Sequence, residues 1–423
     1  MGEKLIALIS VPIFTGLIGY LTNWSGVWML FEPVHFKGVR VPGVAKLVRL
    51  MPRRIQQIPG VMQGGVGWQG IIPSRAAKMG SIAVDKGIAK VGSPKEFYDQ
   101  LGADRLADHI LRSTRGDMRG MVEETLQREH PQLWADLPPQ LRERIHERVQ
   151  EQLPDIVHGF TDQIGENIDQ LLDIKLMVIR NIEADPALSN RIFRAIGRKE
   201  LKMIINFGFL FGFLFGIPVA FVTTLYLTQW WVLPIFGVLI GYATNWLAIW
   251  MIFEPIEPRR ILGFRWQGLF LKRQDEVSEV YAKIIADEVV TLRHIAHELL
   301  HGPSADRTRA MIESAMRPAV DRAAGSARPL VRLAMGGAEY SAVRESVAVG
   351  AVEYAMTPLD DEDFNREQGE RVRVLIRDRM RDMSHRDFSE MLRTVIKEDE
   401  WLLYLHGAVL GFGGGLAHLG VFG

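Results

Sequence analysis

His297-Glu298-Leu299-Leu300-His301 is the stretch of this 423-residue chain whose residue types and spacing match a hydrolytic metal site. Histidines four positions apart share one face of a helix and can hold a zinc ion, and the glutamate between them can take a proton from zinc-bound water. A catalytic zinc takes three protein ligands, yet the Gly302-Pro303 break leaves Arg307 where the extended form of the motif has its third histidine. Glu313 follows too soon for a distant ligand, and His294 stands nearby on a charged helix without a cleft-forming strand. Three readings of His297, Glu298 and His301 therefore stand: a membrane zinc metalloprotease, an adventitious metal site, and ordinary helix surface. The last is favoured, so the chain is expected to have no catalytic residue, no metal and no cofactor. The absence of cysteine removes disulfides, thiol nucleophiles and thiolate metal sites. No phosphate-binding glycine loop, nucleophile elbow or carboxylate pair stands out.

Asn23 and Asn245 are the other residues of unusual chemistry, because each lies inside a run without a charged side chain. Lipid offers an amide no hydrogen bond, so each must find a partner on a neighbouring helix or line a polar path. Glycines surround them. Gly16 and Gly19, with Gly237 and Gly241, allow close helix contact, and Gly208, Gly212 and Gly216, like Gly407, Gly411 and Gly415, recur at four-residue spacing on one helical face. Trp24 and Trp28, with Trp246 and Trp250, sit one turn apart and suit the membrane–water interface.

These residues must be positioned by membrane helices. The run Leu5–Phe31 is long enough to span and lacks the cleavage site of a signal peptide, so it reads as a retained anchor. Met203–Phe253 needs two crossings with a turn at Thr228–Trp231, and Trp401–Gly423 supplies a fourth. Four crossings leave 32–202 and 254–400 on one side. Lys37, Arg40, Lys46 and Arg49 after the first span, Arg198, Lys199 and Lys202 before the second, and Arg259 and Arg260 after the third place that side in the cytoplasm. The chain has 50 basic and 50 acidic residues, which gives no sign of a nucleic-acid partner.

The segment PIFTGLIGYLTNWSGVWMLFEP at Pro12–Pro33 returns as PIFGVLIGYATNWLAIWMIFEP at Pro234–Pro255, an internal repeat. Trp68-Gln69-Gly70 followed by Arg75 returns as Trp266-Gln267-Gly268 followed by Arg273, and these tryptophans and arginines suit either the headgroup level or a loop packed on the protein. In that register Asp99, Gln100 and Ala103 stand opposite His297, Glu298 and His301, so only one copy carries the metal-like motif. Both copies start from the same side, making the repeats parallel rather than inverted. Beyond the spans the pattern is helical: Ile156, Phe160, Ile164, Ile168 and Leu171 form one apolar stripe, Leu106, Ile110, Met118, Met121 and Val122 another, and Pro154, Pro186, Pro303 and Pro358 punctuate the helices.

The expected fold is therefore an all-α membrane protein with four transmembrane helices in two parallel repeats: span 1–31, helical soluble arm 32–202, hairpin 203–253, second arm 254–400, and span 401–423. The motif IGYxTNWxAIxMxFEP at Ile240–Pro255, looser at Ile18–Pro33, and GLFLKRQDE at Gly268–Glu276 resemble the bacterial membrane-protein family catalogued as domain of unknown function 445 (YheB/YjiN-like). The run from Lys397 through Trp401 to Gly407–Gly411 is similar to that family as well, and Ser25-Gly26-Val27 departs from it. The resemblance implies a helical protein of the bacterial inner membrane and brings no established activity. The leading expectation is a non-enzymatic protein that organises membrane or handles lipid through amphipathic helical arms, with membrane lipids as partners, a homo-oligomer held by glycine contacts, and no protein partner named. A channel or transporter lined by Asn23 and Asn245 is the main alternative.

Overall fold

The computed structural model describes residues 2–422 apart from 42–47, 49, 57, 63, 115, 117, 130, 262, 326, 327 and 329–335. Lys46 and Arg49 thus lie outside the described residues. The protein is mostly helical, and among the described residues four helices are long and apolar enough to cross a membrane. They are α1 (Gly2–Phe31), α2 (Pro186–Leu225), α3 (Val232–Phe253) and α4 (Glu400–Phe422).

The second helix starts well before its apolar stretch. Asp185 accepts a hydrogen bond from Ala187 N at 3.0 Å and Pro186 occupies the first helical position, a strong start signal. No proline follows before Pro218, well inside the apolar stretch, so the polar turns before Met203 and the apolar turns after it form one 40-residue helix that runs through Pro218.

Two compact units divide the chain, and each draws on both halves of the sequence. The first combines Met1–Ile88, Ile179–Tyr281 and Met380–Gly423. In it α1 packs along α2 and α3 along α4, around a core of Val11, Val219, Ala220, Leu233 and Ile240. Leu5, Ile9, Leu17, Leu239 and Val409 point outward and are half or more exposed, an apolar girdle suited to lipid rather than water.

The same unit holds two short antiparallel ribbons that the all-helical expectation lacks. Strand β1 (Lys37–Arg40) pairs with β2 (Gly65–Trp68), and β3 (Arg259–Ile261) with β4 (Phe264–Trp266). Their cause is local: a Cβ at Gly67 would meet Gly38 Cα at 2.5 Å, and Gly263 turns the second ribbon with φ +82°, which favours glycine.

The second unit, Ala89–Val178 with Ala282–Arg379, is built of packed helices. The stripe Ile156, Phe160, Ile164, Ile168 and Leu171 is buried, and Tyr98 packs on it, donating its hydroxyl to Thr161 O at 2.7 Å. Leu106 and Ile110 are buried too, whereas the side chains of Met118 and Met121 lie outside the described residues. Pro154 does not punctuate as expected. Helix Pro139–Leu171 runs through it, because burial on both flanks, at His146 and at Ile156, outweighs the missing hydrogen bond.

Candidate functional site

Glycine sets how closely the membrane helices approach. Gly19 lies on Gly208, Gly212 on Thr15 and Gly16, and Gly216 on Pro12 and Thr15; in the other pair Gly241 lies on Gly407, Gly237 on Gly411, and Gly415 on Pro234. A Cβ at any of these glycines would collide with the facing helix, and one at Gly16 would press on Phe209 at 3.2 Å. The glycine stripes are thereby occupied within the chain. They are not free to hold an oligomer together, because each faces a helix of the same molecule.

The asparagines complete these contacts. Asn23 Nδ2 donates to Ile204 O at 2.6 Å, and Asn245 Nδ2 donates to Leu403 O at 2.5 Å. Both side chains are buried. Each amide reaches its carbonyl beside a glycine, Gly208 or Gly407, where a Cβ would meet the amide nitrogen at 2.8 or 2.5 Å. Each bond ties its asparagine to the backbone of a neighbouring helix. Trp24 and Trp246 are about half exposed on the outer faces of their helices.

Where α1 and α3 end, charged groups form a second set of matched contacts. Glu32 meets Arg194 at 2.6 Å and Glu254 meets Arg393 at 3.0 Å. The same two guanidinium groups lie over Phe31 and Phe253, at 4.9 and 5.8 Å from the ring centres. Gln69 donates to Val34 O at 2.8 Å and Gln267 to Ile256 O at 3.2 Å, tying each Trp-Gln-Gly segment back to its helix end.

The arginines behind those segments do not meet open surface. Arg75 pairs with Asp399 at 2.6 Å, with only 4% and 3% of the side chains exposed, and Arg273 pairs with the buried Glu200. These contacts match the packed-loop reading of the segments, not a headgroup-facing cation. Trp68 and Trp266 are half-buried, with indole nitrogens that have no partner among the described residues.

Burial pushes the Asp399 carboxyl up to about 6, against the pull of Arg75. Two exposed pairs flank the buried ones: Lys78 with Glu398, and Lys199 with Glu276 at 2.6 Å. The Lys78 ammonium holds Glu398 below the usual range, and the Arg273 and Lys199 bonds hold Glu276 down at about 2. Sequence reading missed Glu32, Arg194, Glu200, Glu254, Arg393 and Asp399. The matching positions of Glu32 and Glu254 within the repeat were the available signal.

In the other unit, Thr291 caps helix Leu292–His301 by accepting from His294 N at 3.1 Å. His297 and His301 are exposed and their rings stack 4.6 Å apart. Glu298 is buried, 3% exposed, and folds back toward Gly302. The two imidazoles share a face that the carboxylate does not, and among the described residues no cluster of three or more possible metal ligands occurs. His294 Nδ1 lies 3.0 Å from Val289 O, and burial lowers its proton affinity.

The fold and these contacts define a helical membrane protein with four candidate spans. The chain is similar to curated proteins named UPF0754 membrane proteins, a bacterial family without an assigned role. One, from a Synechococcus strain, is 35% identical over 95 residues, 21% of this chain and 23% of that protein. Another, from Geobacillus kaustophilus, is 37% identical over 67 residues, 15% of this chain and 18% of that protein. The chain thus spans about a fifth of the length of the curated relatives it matches. No family profile matches it, and no solved structure does.

Proposed function

We propose that this is a non-enzymatic protein of the bacterial inner membrane that organises membrane or handles lipid at its cytoplasmic face. In this reading it consists of two parallel repeats, arose by duplication, and belongs with the family its IGYxTNW motifs resemble. Support for the repeats comes from contacts made twice at matching positions: Asn23 and Asn245, Arg194 and Arg393, Gln69 and Gln267. Orientation follows from the basic residues that cluster where the spans end.

The observation that carries the lipid reading is the β1–β2 ribbon. Val39 and Val66 pair directly across it and are 71% and 72% exposed, and the next pair on the same face is Lys37 with Trp68. Two bare valines beside a cation and an indole suit the headgroup boundary, where apolar groups enter the acyl edge and the cation meets phosphate. The helical stripe at 156–171 is buried inside its own unit, so the lipid contact falls to the ribbon instead. Self-association belongs to the same proposal and uses the outward apolar faces.

The chain has no cysteine, so Val66→Cys accepts a single environment-sensitive dye. Its emission should shift to the blue in bilayers containing anionic lipid, and the shift should shrink when Val39→Asp and Lys37→Glu are added. Water-like emission in every bilayer would count against lipid contact. A native mass spectrum in mild detergent reports subunit number, retained lipid and metal; stoichiometric zinc lost in His301→Ala would replace this reading with the protease.

A further inference from the structure

The four spans contain no Asp, Glu, Lys or Arg between Leu5 and Phe31, Met203 and Phe253, or Trp401 and Phe422. His406 and His418 of α4 are the side chains there that can take up a proton near neutral pH. Both face serines of α1: His418 Nε2 lies 3.2 Å from Ser10 Oγ, and His406 Nε2 lies 3.3 Å from Ser25 Oγ. At 1.5 Å rise per residue the two histidines stand about 18 Å apart along the helix, toward opposite ends of a hydrocarbon core of roughly 30 Å.

Between the helices lies a cavity of about 30 Å³ whose wall is mostly apolar, Val11, Ile18, Phe236 and Ile240 among it, with Thr15, Thr22 and His418 as its polar members. Thr22 is 1% exposed and His418 6%. Thr22 Oγ1 and His418 Nδ1 are buried polar atoms without a partner among the described residues. A polar atom left so in an apolar medium is costly, and this volume admits about one water, which can partner a hydroxyl or imidazole that faces it. Thr15, Thr22 and Ser25 follow at helical spacing along α1; the Thr15 and Ser25 hydroxyls donate to carbonyls of their own helix, so each offers its oxygen as an acceptor.

We propose that this cavity is a hydrated proton-binding site and that the seam between α1 and α4 is a proton path. The two histidine–serine pairs serve as its ends, Thr22 stands one turn from Ser25, and Thr15 lies between Thr22 and Ser10. A proton arriving from one side adds to an imidazole nitrogen, the opposite ring nitrogen releases its own proton to the next hydroxyl or water, and the final acceptor is water on the far side. No electron moves, and charge balance comes from a counter-ion flux or the membrane potential. The ring contacts among the described residues are uncharged: His418 packs on Phe14 and Phe422, 5.2 and 4.9 Å between ring centres, and His406 faces Gly26 of α1.

The test uses the full chain in proteoliposomes loaded with a pH-sensitive dye, under a potassium diffusion potential set with valinomycin. Wild-type vesicles should acidify at least tenfold faster than protein-free ones, and His418→Gln and Thr22→Val should each return the rate toward the protein-free level. His418→Gln keeps a hydrogen-bonding side chain and removes titration, so an unchanged rate in that variant overturns the relay. A wild-type rate equal to bare lipid overturns the path altogether. If Thr22→Val alters elution in detergent, Thr22→Ser, which keeps the hydroxyl, should conduct as wild type does, and its failure to do so counts against the proposal. None of these readings involves the ribbon, so the lipid proposal and the proton path fail separately.

Discussion

Asp399 shows how a single side chain can make stability depend on pH. Its ordinary value of 3.8 rises to about 6 in the folded protein, so the folded state holds the proton more tightly than the unfolded one. Stability from this group is present at low pH and falls as pH rises from about 4 to about 6. Glu276 acts the other way: held at about 2, its contribution is lost as pH falls from 4.5 toward 2. Asp399→Asn should flatten the loss between about pH 4 and 6 in a thermal unfolding series without moving the acid limb. Glycine is as specific. Gly241→Ala pushes a methyl into Gly407 backbone and should destabilise the protein by about 1–3 kcal/mol in a denaturant titration, whereas Gly413→Ala, which meets nothing, should leave it unchanged. The glycine and asparagine positions were legible in sequence because lipid makes a polar or missing side chain conspicuous. The partners of Arg75 and Arg273 were not, since no local pattern joins an arginine to a carboxylate so distant in the chain.

At the scale of elements, the spans were legible and the connections less so. Hydropathy placed the first span at Leu5–Phe31 and the last within a residue of Glu400–Phe422, because a bilayer demands a long apolar run. The same pattern could not see that α2 begins at Pro186, since helix continuity depends on caps and breakers rather than hydropathy. Nor did it reveal the ribbons, whose strands of three or four residues are too short to show a period of two. Local capping makes its own prediction. Ser93 and Glu96 exchange backbone hydrogen bonds at the start of helix Pro94–Leu101, a complete capping box. Ser93→Ala should lower stability by about 1 kcal/mol, measured by chemical denaturation, while Ser93→Asp should retain most of it.

For the whole molecule, both compact units interleave the first and second halves of the chain. Inside the first, Arg75 reaches Asp399 and Arg273 reaches Glu200, so each half supplies the arginine for the other's carboxylate. Opening the chain in the Leu227–Gln229 turn should therefore leave two pieces that co-purify and still elute as one species. Separate elution of the pieces would show that the crossed contacts do not hold them. The interleaving was invisible in sequence because a repeat reveals likeness between segments and not which segment each one embraces.

The outer pair of contacts carries one more implication. In the first half the lysine is at 78 and again at 199, and in the second the corresponding positions are Glu276 and Glu398. As arranged, Lys78 faces Glu398 and Glu276 faces Lys199. Two identical first halves meeting the same way would bring lysine to lysine, and two second halves glutamate to glutamate. Each exposed pair contributes little because solvent screens it, but the like-charged alternatives lose even that and add repulsion. Under the proposed duplication, a dimer of twins joined into one chain carries its own bar against reverting: the charges admit only unlike halves.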